Sequence, residues 1–64
     1  MTKYNIRVYL NGTTYPSLFE GVDRYLMQSG NWLVMKWDDL GTTTLLNIDT
    51  AQQIIVDEVE ADHE

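Results

Sequence analysis

With 64 residues and no cysteine, this chain has no covalent cross-link to hold a small core together. A domain of about 60 residues buries only about 60% of the surface its unfolded chain exposes, so its stability is marginal. Below roughly 70–80 residues such a domain is normally reinforced by disulfides, a structural metal or a partner subunit. The missing cysteine removes the first and the thiolate form of the second, which leaves self-association as the available reinforcement. A hydrophobic fraction of 44%, with 11% aromatic residues, is that of a chain that folds.

Ten acidic side chains face four basic ones, a net charge of −6. Asp57, Glu58, Glu60, Asp62 and Glu64 put five of the acids into the last eight residues, so residues 1–56 carry five acids against four bases. The sequence therefore divides into one domain over residues 1–60 and an acidic tail over 61–64, a solvated end that keeps a small protein soluble. The acidity argues against direct binding to a nucleic-acid backbone, where Lys and Arg must displace counterions. No run of about 18 apolar residues is present and the N-terminus has no apolar leader, so the expectation is a soluble cytoplasmic protein without a membrane partner.

Residues 4–10 alternate, with Tyr4, Ile6, Val8 and Leu10 on one face and Asn5, Arg7 and Tyr9 on the other, the pattern of a half-buried strand. Asn11-Gly12 is a tight-turn dipeptide, Thr13-Thr14-Tyr15 suits a short return strand, and Pro16 stops it. Ser17-Leu18-Phe19-Glu20 then reads as a capping box. Behind it Leu18, Phe19, Val22, Tyr25 and Leu26 form an apolar helical stripe that Gly30 would cap, and Gly21 sits within the first turn without an obvious role. Residues 32–37 are apolar on both alternating faces, 38–41 have turn composition, 42–48 are β-branched and apolar, 49–52 turn again, and 53–59 read as a last strand.

This order predicts an α+β domain: an antiparallel sheet of about four to five strands with one helix, arranged as strand, short strand, helix and three-strand meander. One helix covers one face only. The other face would expose Arg7, Tyr9 and one of the two apolar sets of 32–37, and no register makes it polar. An exposed apolar patch of that kind marks a protein interface, which with the size argument points to a homodimer or higher oligomer, a protein partner, or both.

Catalysis has little material. Nucleophile chemistry lacks cysteine, and the single histidine, His63, is penultimate in the acidic tail. Asp38-Asp39 and Asp49 open turns, Asp62-His63-Glu64 match no metal-ligand spacing, and the four glycines form no phosphate cradle. No enzyme activity, metal or cofactor is expected.

Seven aromatic residues in so short a chain exceed what its core needs, and aromatic anchors at protein interfaces are their common use. The reading is a non-catalytic interaction module that binds and blocks a protein by steric occlusion, with Arg7, Tyr9, Trp32, Lys36 and Trp37 as the binding residues. In size and composition the chain is similar to small inhibitor proteins of bacteriophages and other mobile elements, a likeness that covers no particular residue. Two alternatives stand beside it. One is an acidic nucleic-acid mimic, with Asp38, Asp39, Asp57, Glu58 and Glu60 standing in for phosphates. The other is an oligomeric binder of a small molecule such as a nucleotide, whose intersubunit pocket would use Arg7, Arg24 and Lys36.

Overall fold

The computed structural model of the chain describes residues 2–60. It contains six strands: β1 (Thr2–Leu10), β2 (Ser17–Val22), β3 (Arg24–Gln28), β4 (Trp32–Trp37), β5 (Thr42–Asn47) and β6 (Ala51–Glu60). They form two antiparallel three-stranded sheets, sheet A in the order β2-β1-β6 and sheet B in the order β3-β4-β5. Alternation in β1 and the hairpin β4–β5 around the turn at 38–41 follow the sequence pattern.

The α+β expectation is overturned at residues 17–28, where the helix is replaced by β2 and β3, so the described chain is all-β. Ser17 does not cap anything; it pairs with Val8 in the β1–β2 ladder. Two irregularities explain the misleading stripe. The register passes from Tyr4↔Val22 to Ile6↔Phe19, so Glu20 and Gly21 together oppose Asn5 in a β-bulge. Asp23 is then a lone bend residue as the chain leaves sheet A for sheet B. Each irregularity adds one residue to a period of two, and the inward side chains Phe19, Val22 and Tyr25 end up three apart, as on a helix. Gly21 carries the bulge: its φ is 69°, and its amide donates to Asn5 Oδ1 at 3.1 Å. Such a left-handed backbone suits glycine and has no place inside an α-helix.

The expected meander is corrected too. β6 follows β5 in sequence but pairs with β1, from Thr2↔Glu60 to Leu10↔Ala51. Burial drives that choice, because Ile54 and Val56 lie opposite Val8 and Ile6 and complete the apolar inner face of sheet A. Residues 13–15 form no strand. The Asn11-Gly12 turn does close, with the Thr13 amide donating to Leu10 O at 3.2 Å, but the return strand begins after Pro16 rather than ending before it.

The two inner faces meet in one small core. Ile6, Val8, Val22, Leu33 and Met35 are fully buried, and Tyr4, Leu10, Phe19, Trp37, Leu46, Ile54 and Val56 pack around them. Two ring contacts bridge the sheets: Tyr4 meets Tyr25 edge-on at 5.0 Å between centroids, and Phe19 meets Trp37 at 6.5 Å. Among the described residues no helix is long and apolar enough to cross a membrane.

Candidate functional site

Because the β4 side chains Leu33, Met35 and Trp37 point into the core, Trp32, Val34 and Lys36 must point outward. The register of sheet B then fixes three cross-strand rows on its outer face: Arg24–Lys36–Thr43, Leu26–Val34–Leu45 and Gln28–Trp32–Asn47. The middle row is wholly apolar. Leu26 and Leu45 are 49% and 57% exposed, and Val34 between them is buried, at 7% exposed. Trp32 is 37% exposed, and its indole packs over Gly30, where a Cβ would sit 3.3 Å from Cδ1. The two bases stand at the opposite end of the face from Trp32. Arg24 donates to Asp38 Oδ1 at 2.7 Å, whereas Lys36 makes no ion pair among the described residues.

The five residues expected to bind do not gather on one surface. Trp32 and Lys36 share the outer face of sheet B. Arg7 and Tyr9 lie on the outer face of sheet A, opposite Ile55 and Gln53, and Arg7 is engaged by Asp57 at 3.0 Å. Trp37 is turned inward against Phe19, and its Nε1–H donates to the Glu20 carbonyl at 2.8 Å. Leu26, Val34 and Leu45 were not among those five residues, and Arg24 entered only the small-molecule alternative. Once 38–41 is read as the turn between Trp37 and Thr42, the hairpin register places Leu45 opposite Val34, so part of that row was recoverable; Leu26 was hidden by its assignment to a helix.

Several acids expected to mimic phosphates are held by bases. Asp38 accepts from Arg24, Asp57 accepts from Arg7, and Asp39 lies 3.5 Å from Lys3. Asp23, at the corner between the sheets, ties three elements together. Its carboxylate accepts from Lys3 Nζ at 2.5 Å and from the Asp38 amide at 2.6 Å, while its own amide donates to Lys36 O at 2.9 Å. The Lys3 hydrogen bond, then the Asp38 amide, hold the Asp23 carboxyl below its ordinary value, and the same bond to Asp23 raises the Lys3 ammonium above its own.

Asp62, His63 and Glu64 lie outside the described residues. Among the described residues no three Asp, Glu or His side chains come together as a metal site, and no cavity forms. Compared with known protein families, curated proteins and solved structures, the chain matches none.

Proposed function

We propose that this protein is a non-catalytic interaction module that binds a protein partner through the outer face of sheet B and blocks it by occlusion. One observation carries the reading. In a chain with ten acids and four bases, this face presents an apolar row, a tryptophan and two bases, and none of its side chains is acidic. Surfaces that meet no partner are seldom built this way, because contiguous exposed apolar area is costly in water. The partner it suits has an apolar centre flanked by carboxylates, the apolar part over Leu26, Val34, Leu45 and Trp32 and the acids beside Lys36. Arg24 is already shared with Asp38, so among the described residues of this face Lys36 is the base without an ion pair and the one placed to steer an acidic surface.

The test compares the two outer faces. Proteins captured by the intact chain are identified, and the binding constant of the principal one is measured for Trp32→Ala, Leu26→Glu and Lys36→Glu, with Tyr9→Ala as the control on sheet A. Each variant is first shown to be folded by far-UV circular dichroism. Trp32→Ala should cost about 2 kcal/mol or more, some 30-fold in Kd, as buried aromatic anchors do. Retained binding in all three sheet-B variants, with loss in Tyr9→Ala, would refute the assignment.

A further inference from the structure

Two sheets of three strands leave four strand edges, and three of them are guarded. β6 carries Asp57, Glu58 and Glu60; β2 follows Pro16, contains Glu20 and is bent by the Gly21 bulge; β3 opens on Arg24. Charges, prolines and bulges are how folded proteins keep edges from pairing with other chains. β5 has none of them. Its six residues, Thr42-Thr43-Thr44-Leu45-Leu46-Asn47, are uncharged, and among the described residues its only strand partner is β4.

The groups on that open edge can be identified. Ile48 N donates to Asn31 O at 2.8 Å, so Ile48 and Asn31 are a hydrogen-bonded pair one step beyond Asn47↔Trp32. Bonded and non-bonded pairs alternate along an antiparallel ladder. Leu46, Thr44 and Thr42 therefore turn their backbone groups to β4, while Thr43, Leu45 and Asn47 turn theirs to the edge.

We infer that the occupant of this edge is the β5 strand of a second copy, paired antiparallel about a two-fold axis at Leu45. That register sets Leu45 opposite Leu45 of the second copy and Thr43 opposite its Asn47, and it uses all the outward-turned backbone groups of the strand. Charge selects this edge over that of β6. Two chains of net charge −6 repel, and pairing through β6 would bring together two strands that each carry Asp57, Glu58 and Glu60, whereas β5 meets β5 without a single charge. The apolar row also becomes continuous across six strands, because Leu26–Val34–Leu45 of one copy runs into Leu45–Val34–Leu26 of the other. The inference stands on the edge chemistry and not on what the face binds.

Because the chain has no cysteine, a single introduced thiol reports the register. In a bonded antiparallel pair the Cα atoms are about 5.5 Å apart, within disulfide range, so Leu45→Cys should oxidise to a covalent dimer. In Thr43→Cys the two thiols are displaced along the strands by about 13 Å or more, and the dimer yield should be about tenfold lower. Sedimentation of the unmodified protein at up to about 1 mM should show a mass of twice 7.4 kDa. Leu45→Lys, folded by circular dichroism, should return it to one chain, and Trp32→Ala should leave the dimer intact even if the partner-binding reading fails. A monomer at the highest concentration, a dimer that survives Leu45→Lys, or equal cross-linking from positions 43 and 45 overturns the inference.

Discussion

Gly21→Ala separates the bulged-strand structure from a helix by the sign of its effect. With φ at 69°, an alanine here must occupy the left-handed region, at a cost of about 1–2 kcal/mol. No atom lies within 4 Å of the Cβ it would add, so there is neither clash nor new packing and the backbone term stands alone. Alanine also stiffens the unfolded chain, which returns about 0.4–1 kcal/mol. The balance is a net loss of about 1 kcal/mol. In a domain of this size that lowers Tm by roughly 4–8 °C, and with a urea slope of about 1 kcal/mol/M it moves the unfolding midpoint by about 1 M. In a helix interior the same change would instead gain about 1 kcal/mol. Urea and thermal unfolding followed by tryptophan fluorescence measure the difference directly. A D-alanine at position 21, accessible by chemical synthesis of so short a chain, favours positive φ and should raise the midpoint. A higher midpoint for the L-alanine variant would refute the bulge.

Other outcomes follow from the same geometry. Asp23 is held below its ordinary pKa, so its contribution to stability is complete above the unfolded value near pH 4 and is lost as pH falls through the lower folded value; Lys3 is held above its own, so its share is complete below about pH 10.4 and is lost as pH rises beyond that. Between about pH 5 and 9 this pair should add no slope to the urea midpoint, and Asp23→Asn should flatten the acid limb; an unchanged acid limb would remove Asp23 from the account. Trp37→Phe keeps a ring against Phe19 but leaves the Glu20 carbonyl without its donor, a loss of about 1 kcal/mol in unfolding experiments, with partner binding unchanged.

Much of the fold was legible where a strand follows an unbroken period of two. Tyr4, Ile6, Val8 and Leu10 alternate because β1 is central in its sheet with one face on the core, and the apolar run 32–37 announces β4, also central. Legibility ended at residues 17–28. There a bulge and a corner reset the alternation twice within a few residues, and local spacing alone could not tell Phe19, Val22 and Tyr25 on a bent ribbon from the same residues on a helix. The clue was Gly21, a helix-disfavouring residue without a helical role. The candidate site was half legible for a related reason. Which of the two apolar sets of β4 faces outward is decided by contacts with Ile6, Val8 and Val22, distant in sequence, so Trp32 and Trp37 could not be assigned to opposite faces in advance. The pairing of β6 with β1 was illegible for the same cause, since nothing local distinguishes a neighbour in sequence from a neighbour in space.

That pairing also governs how quickly the chain can fold. Sheet B is assembled from hairpins joined by a few residues, so its contacts form after short loop closures. Sheet A is completed only when Thr2 meets Glu60, a closure across almost the whole described chain, whose entropy must be met before the inner face of β1 is covered on both sides. Proteins dominated by such long-range β contacts fold in milliseconds to seconds rather than microseconds. The contacts among β3, β4 and β5 accordingly need short loop closures, and the β1–β6 pairing, which needs the longest, carries the largest closure entropy in the described fold.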